Sequence, residues 1–490
     1  MNTLNPYEIA VGYLVDTIGC TLSGLGGDHE KVKPMTEARL VDFFEKYIYK
    51  EMNNYFLIGD SDAIYIYNGK YYETSRNNED LFLNVIKDAM KRMGVGLVYQ
   101  KNSYLKIAKQ CISGMKVTPK ARFVPDRDYM VFNNGVLNLN TMELNDFSME
   151  YKTDVVLDVE YKHNHNSALW DRIICQTIPD DGMRKAFQMF CGAFLINRRQ
   201  FSIEYICYMI GSGRNGKSVV TGAISNVFGE SLVSSFSLQE LLYDNDKQYN
   251  RAALVGKIAN FSDDVTKKDY SGGAYKQMVS GHKMTARNPF GRPFELRDVP
   301  YLICCVNEMP PTTDDTNGHY RRNLPILCPN QISDKDADEE LPAKLNAADV
   351  KSAIINWIID GRLLVIKAKG KLEISQTIRE EVIRQQEFGN SARRWISEIG
   401  LVKIDNPAQH DKRWKAMSDW MSMYKQWCFD MSEMPKVAPT VGKIFKEKGF
   451  ASKRIQGKTW WCIGQLDVDT NVAGQEMDEI GYVKDDGLPF

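Results

Sequence analysis

The sequence has little that would commit it to a membrane, a secretory route or a structural metal. No apolar run approaches the ~18 residues that a bilayer-spanning helix needs. The longest, residues 205–210 and 301–306, have the length of strands. The first eight residues lack the basic-then-apolar order of a secretory signal. Ten cysteines are spread through 490 residues without a CxxC pair, and the six histidines form no zinc spacing with them. Cys207, Cys304, Cys305 and Cys328 lie in or beside apolar stretches, so buried, reduced thiols in a cytoplasmic chain are expected. His163-Asn164-His165 has the letters of a nuclease motif but sits in a polar loop without supporting acids or cysteines, and reads as surface.

An excess of one charge is also missing. Lys and Arg number 62 against 63 Asp and Glu, a net charge of −1. That excludes a uniformly basic coat, so any nucleic-acid contact has to come from local clusters. There is no internal repeat and no low-complexity tract, and 43% hydrophobic with 26% charged residues argues against long disorder.

At roughly 150 residues per domain the length suggests about three domains. Residues 36–52 read as a helix with Leu40, Phe43, Phe44 and Tyr47 on one face. Strands are expected at 55–59 and 63–67, with Asn68-Gly69 as a two-residue turn into 70–72. A helix follows at 78–93. A second pair, Asn134-Gly135, turns 129–132 into 136–139, and helices are expected at 169–177 and 181–196. From residue 201 short apolar runs alternate with helical patterns, as in an α/β domain with a buried sheet. Helices are expected at 350–366, 377–388 and 413–430, then helix, turn and hairpin over 435–463. Residues 467–486 carry seven acids against Lys484 and read as a loose surface tail.

The sharpest motif is Gly211-Ser212-Gly213-Arg214-Asn215-Gly216-Lys217-Ser218, which fits GxxxxGK[ST] in full, between a strand pattern and a helical one that begins at Val219. Glycines let successive backbone N–H groups turn towards phosphate oxygens, and the helix start adds positive potential. Lys217 would reach the β- and γ-phosphates and Ser218 would ligate Mg²⁺. Such a loop needs a second acidic group. Residues 257–262 form a short strand pattern ending in Asp263 and Asp264, Asp263 assigned mainly to the metal and Asp264 mainly to the attacking water. A third strand pattern, 301–306, ends in Asn307, a polar group placed to sense the γ-phosphate or the water. Arg321-Arg322 reads either as a solvated turn or as an arginine finger, which from a neighbouring subunit would require a ring.

Two basic clusters stand out from the neutral whole. Residues 267–297 hold seven basic residues against two acidic ones. Within them Lys283 and Arg287, then Phe290 and Arg292 at a Pro/Gly turn, outline a hairpin that could contact phosphates and stack on a base, or simply be a solvated hairpin. Residues 412–458 hold eleven basic residues against four acidic ones, among them Lys443, Lys446, Lys453, Arg454 and Lys458, beside Trp460 and Trp461. Trp461 reads as core, and the patch as a whole as a nucleic-acid contact.

The segments IGSGRNGKSVV, FSDD, the hairpin after SGHK, VNEMP followed by DDTNGHYRR, and the upstream FNNGVLNLNTMEL make this sequence similar to the superfamily III helicase domain of phage and plasmid primase–helicases, related to the poxvirus-type enzymes. The resemblance covers residues 60–465. It implies an α/β protein with an AAA+-like P-loop ATPase core, an N-terminal α/β and helical collar region, and a C-terminal winged-helix domain. The division it implies is 1–120 N-terminal, 121–200 collar, 201–340 core, 341–405 helical extension, 406–465 winged helix and 466–490 tail. It further implies a homo-oligomeric ring, a hexamer, that uses ATP and Mg²⁺ to move on single-stranded and forked DNA, usually 3′ to 5′, in a host cytoplasm.

By position, Lys217 and Ser218 match the Walker A pair, Asp263 and Asp264 Walker B, and Asn307 the sensor. Arg321 or Arg322, with a slight preference for Arg322, matches the trans finger. The 283–297 hairpin matches the channel contact, with Arg287 and Arg292 where some relatives carry lysine or histidine at the tip. One feature departs from the family. Residues 1–120 show no acidic primase triad or zinc knuckle, so primer synthesis is expected of a separate primase or polymerase. An origin-binding initiator without processive unwinding is the alternative reading. A P-loop nucleotide kinase or signalling ATPase fits less well, given the basic hairpin and the arginine pair.

Overall fold

The computed structural model describes residues 128–466 except 154–155, 199, 263–271, 290, 311, 313, 315, 334 and 336, and also 56–59, 64–67, 69–74, 106, 109, 110, 113, 122 and 123. The helices expected at 36–52 and 78–93 and the acidic tail lie outside the described residues.

The first sheet has the order β3-β2-β1-β4, from β1 (Phe56–Gly59), β2 (Ile64–Tyr67), β3 (Tyr72–Thr74) and β4 (Arg122–Phe123). Tyr67 pairs with Tyr72, where the expected two-residue turn at Asn68-Gly69 would have paired it with Lys70. Tyr72 is fully buried and donates its hydroxyl to the Met149 carbonyl (3.0 Å), which makes it the first residue drawn into the ladder. A second sheet, β5 (Tyr129–Phe132), β6 (Gly135–Asn138) and β7 (Leu144–Asn145), is a meander. Phe132 pairs with Gly135, so the turn is Asn133-Asn134, one residue before the expected Asn134-Gly135. The Asn134 amide explains the shift: it donates to the Tyr161 carbonyl and accepts from the Tyr161 amide, both at 2.9 Å, and that pin needs Asn134 at the tip.

Two helices follow, α1 (Ala168–Thr177) and α2 (Asp181–Ala193). Ser167 and Asp180 cap them by accepting from the amides of Trp170 and Met183. The central sheet is then built from β8 (Ile206–Ile210), β9 (Val233–Ser234), β10 (Ala259–Ser262), β13 (Tyr301–Val306) and β14 (Asn323–Leu327). Its order is β14-β8-β13-β10-β9, and every pair is parallel. Strands buried on both faces need continuous apolar runs, and β8 and β13 are buried throughout.

Their side chains alternate between two cores. Cys207, Met209, Ile303 and Cys305 join one core with α1, α2, α3 (Lys217–Leu232), α8 (Leu341–Leu345) and α9 (Ala348–Lys367). Ile206, Tyr208, Leu302 and Cys304 join the other with α4 (Leu238–Leu242), α6 (Gly272–Val279) and the hairpin β11 (Met284–Arg287) and β12 (Pro293–Leu296). The short helices α5 (Lys247–Ala252) and α7 (Asn317–Tyr320) complete this region. The first core runs from Met130 to Val382, so the expected collar, P-loop segment and following helices pack as one body.

Helices α2 and α9 cross at Gly192 and Gly361. A Cβ at Gly361 would collide with the Gln188 carbonyl, and one at Gly192 with the backbone of Gly361 and Arg362. Arg362, 1% exposed, ties α9 to the meander by donating to the carbonyls of Leu139 (2.5 Å) and Leu195 (3.4 Å) and to Asn140 Oδ1 (3.0 Å).

Past α10 (Gln376–Phe388), a C-terminal unit comprises α11 (Ser391–Glu398), β15 (Leu401–Lys403), β16 (Trp414–Ala416), α12 (Met417–Asp430), α13 (Ala438–Glu447), β17 (Ala451–Ile455) and β18 (Lys458–Gln465). Strand β18 pairs with β15, β16 and β17, and β16 and β17 flank its residues 460–462 from opposite sides. The helix expected from 413 starts at Met417, because Trp414, Lys415 and Ala416 pair with Cys462, Trp461 and Trp460. Trp395, Trp420, Phe445 and Trp461 form its aromatic core. Among the described residues no helix is long and apolar enough to cross a membrane.

The Gly361 contact gives a direct check. Gly361→Ala should lower unfolding stability by about 1–3 kcal/mol, read by denaturant titration. Unchanged stability would mean that α2 and α9 are not held this closely.

Candidate functional site

Strand β8 leads straight into the Gly211–Ser218 loop, and α3 begins at Lys217. The loop takes backbone conformations that favour glycine at Gly213 (φ 104°) and Gly216 (φ 78°), and Arg214 also has positive φ (50°). A Cβ at Gly216 would press on Thr177 Oγ1 at the end of α1, so that position has no room for a side chain.

Lys217 is 7% exposed and donates from Nζ to the Gly211 carbonyl (2.6 Å) and to Asn215 Oδ1 (2.7 Å). Both acceptors are neutral. Burial pushes the nearby Cys328 thiol up to about 12, against the pull of Lys217 and with a further push from Cys305, so it stays an uncharged thiol there. The Lys217 bonds are charge-assisted from the donor side only, and an anion at the loop would supply the opposite charge that the ammonium lacks there. The donors fit a nucleotide phosphate: a buried ammonium, a helix start, and the exposed hydroxyls of Ser212 and Ser218 at the rim.

A segment far along the chain buttresses the loop. Asn215 Nδ2 donates to the Cys328 carbonyl (2.8 Å), Gln331 Nε2 to Ser212 Oγ (2.8 Å), and the Ile332 amide to the Arg214 carbonyl (2.8 Å). No local pattern in the sequence marks residues 328–332 for this work, because it consists of tertiary bonds across more than a hundred residues.

The parallel register brings the expected partners to one sheet edge. Val306 pairs with Ile210 and its carbonyl accepts from the Gly211 amide (3.1 Å), so Asn307 follows beside the first loop glycine, exposed. Ser262 pairs with Cys304 on the next strand. Asp263 and Asp264 continue directly from Ser262 but lie outside the described residues, as does Phe290. Among the described residues there is no cluster of three metal-ligating side chains. Mg²⁺ in phosphate sites needs only one or two carboxylates besides the phosphates.

Arg321 and Arg322 sit at the other end of β8, since the Ile206 amide donates to the Arg322 carbonyl (2.9 Å). A five-residue strand spans roughly 16 Å, which keeps both arginines away from Lys217 of their own chain. They also differ from each other. Arg322 has an 11% exposed side chain and binds Glu204 Oε2 (3.0 Å), Ser280 Oγ (3.0 Å) and the Gly318 carbonyl. Arg321 is 43% exposed and, among the described residues, makes a single looser side-chain contact, with the same Glu204 oxygen (3.3 Å).

In the basic hairpin, Met284 and Ala286 point into the core while Thr285 and Arg287 face out. Lys283, Arg287 and Arg292 are exposed. Lys283 lies 3.3 Å from Glu295, and Arg287 Nε donates to the Gly291 carbonyl (3.0 Å), which shapes the turn. In the C-terminal unit Lys443 and Lys446 are exposed on α13, and Arg454 and Lys458 on the β17–β18 hairpin. Lys453 is half-buried, stacked 3.9 Å from the Trp414 ring and donating to the Gln409 carbonyl (2.6 Å). The His163 and His165 loop is pinned down: His163 Nδ1 meets the Tyr161 hydroxyl (3.2 Å), and His165 Nε2 lies 3.1 Å from Asp349.

Two family models match the chain. One, described as "D5 N terminal like", covers residues 42–179. The other, described as "Family of unknown function (DUF5906)", covers residues 209–322, from the end of β8 to Arg322. The first supports the resemblance to primase–helicases at that general level. Solved structures of the NrS-1 C-terminal region are similar over most of their length. The A-form apo structure has a TM-score of 0.46 at 11% identity, covering 89% of this chain and 100% of that one. A second A-form apo structure of that region has a TM-score of 0.44 at 9% identity, covering 86% and 100%.

The two arginines should separate in unfolding experiments. Arg322→Ala strips Glu204 of its closest partner and should cost about 1–3 kcal/mol. Arg321→Ala should stay within about 0.5 kcal/mol of the parent. Equal losses would contradict the distinction.

Proposed function

We propose that this chain is an ATP-dependent replicative DNA helicase of the superfamily III type, encoded by a phage or plasmid. It forms a ring, a hexamer, that moves on single-stranded DNA and unwinds forks. The observation that carries the proposal is the sheet edge: buried Lys217 on its loop, Asn307 beside it by register, and the strand leading to Asp263 and Asp264 next along. These are the parts of an AAA+-like hydrolase core.

In this reading, residues Gly211 to Val219 cradle the phosphates of ATP. Lys217 leaves its two neutral oxygens for the β- and γ-phosphates. Ser218 and Asp263 would hold Mg²⁺, which when bound offsets charge on those phosphates. Asp264 orients a water for attack on the γ-phosphorus, and Asn307 holds that water or the γ-phosphate in line.

Arg321 completes the site of the neighbouring protomer. Its exposure, its single loose contact and its distance from its own loop support it over Arg322, which serves as the bracket beneath it. The exposed cations of the hairpin (Lys283, Arg287, Arg292, with Phe290 at its tip) line the channel. Lys443, Lys446, Lys453, Arg454 and Lys458, on a unit read as a winged helix, meet DNA outside it. A separate primase or polymerase supplies primers.

Hydrolysis should be stimulated by single-stranded DNA and accompanied by strand separation on a forked substrate. Lys217→Ala should lower hydrolysis by roughly a hundredfold or more and abolish unwinding. Nucleotide turnover by the parent that ignores DNA and separates no strands would sink the helicase reading; origin-specific binding without unwinding would favour an initiator.

A further inference from the structure

Helix α6 touches the two places that must act together in the proposed cycle. Towards the basic hairpin, Gln277 Nε2 donates to the Lys283 carbonyl (2.5 Å), one residue before β11. Met278 and Val279 share a buried core with Met284 and Ala286 of that strand. A displacement of the hairpin base is therefore a displacement of α6, because close-packed cores transmit shifts. Towards the arginines, Lys276 Nζ lies 2.6 Å from Asp314 Oδ2 and donates to Thr316 Oγ1 (3.2 Å). Asp314 Oδ1 in turn accepts from the Thr316 amide (3.0 Å) and hydroxyl (2.6 Å). Thr316 immediately precedes α7, and α7 runs directly into Arg321.

The link from α6 to the sheet has a different character. The Tyr275 hydroxyl donates to Asn323 Oδ1 (3.2 Å), and Asn323 is locked in the β14–β8 ladder. That contact anchors. Residues 316–320 lie outside the sheet, held by Lys276 at Thr316, by His319 against the Tyr275 ring (5.3 Å) and by Tyr320 in the first core. The side chains of Lys276 and Asp314 are only 31% and 13% exposed, which shields the pair from solvent. Burial alone would raise the Asp314 carboxyl; hydrogen bonds from Lys276 and Thr316 outweigh it and hold it at about 2, so the carboxylate is ionised at neutral pH.

We propose that the Lys276–Asp314 pair is a positioning contact that links the basic hairpin to Arg321, so that single-stranded DNA on the hairpin sets the rate of hydrolysis at the neighbouring protomer's site. This rests on the helicase reading. Neither residue touches nucleotide or DNA; they act by fixing the distance between α6 and the segment that carries the arginine.

The test uses the full chain, with an oligothymidylate as the single-stranded probe. Hydrolysis is measured with and without the probe, and probe binding by fluorescence anisotropy. In Lys276→Gln and in Asp314→Asn, hydrolysis without DNA and oligothymidylate affinity should match the parent, while the stimulation by DNA falls about fivefold or more. The exchanged variant, Lys276→Asp with Asp314→Lys, should recover most of the stimulation. Full stimulation in both single variants would overturn the proposal. So would loss of DNA-free hydrolysis and thermal stability together, without recovery in the exchanged variant, since that marks a purely structural pair. A parent enzyme that shows no stimulation would instead overturn the helicase reading beneath it.

Discussion

The constraint on which the rest depends is the in-register parallel pairing of β10, β13 and β8. Parallel strands all end on the same edge of a sheet, so whatever polar residue follows each apolar run is delivered to one line in space. Here the line holds the Gly211 loop, Asn307 and, one strand further, the chain leading to Asp263. A slip of one residue would turn every side chain to the opposite face and mix the two cores. Ile206, Tyr208 and Cys304 on one side, and Cys207, Met209 and Ile303 on the other, make that slip costly. Burial at roughly 1.5–3 kcal/mol for each large apolar side chain is thus what positions the polar groups that would do the chemistry.

The same sheet separates what must be separated. Its carboxyl edge carries the phosphate loop, and its amino edge carries Arg321 and Arg322. A chain with its arginines a strand-length from its own lysine can bring the two together only by meeting another copy. The chain is close to neutral as a whole, with local excesses of positive charge in residues 267–297 and 412–458. Several cations are already committed within the chain, as Lys453 is to Trp414 and Lys283 to Glu295, so the groups open to a phosphate backbone are fewer than the composition alone suggests.

Much of this was legible in the sequence, and the reasons are local. The loop has a fixed spacing, β8 and β13 are unbroken apolar runs, and helices such as α9 and α10 begin and end within two residues of their expected bounds. What was not legible depends on partners far away. Trp414 to Ala416 looks like the first turn of an aromatic helix until β18 claims it as a strand. The turn at Asn133-Asn134 is shifted by the backbone of Tyr161. Arg321 and Arg322 are indistinguishable as letters; Glu204 reaches both, but Ser280, more than forty residues off, encloses Arg322 alone. The buttress of Cys328 to Ile332 behind the loop carries no motif at all.

The central claim, one active site shared between two copies, is tested most directly by mixing two defective proteins. Lys217→Ala lacks the phosphate lysine and Arg321→Ala lacks the arginine, and each alone should be close to inactive. Mixed oligomers contain interfaces that pair an intact Lys217 from one copy with an intact Arg321 from the next, so hydrolysis should reappear on mixing and vary with the ratio. Mixtures that assemble into common particles and stay inactive at every ratio, or an Arg321→Ala protein that hydrolyses ATP at the parent rate, would contradict it.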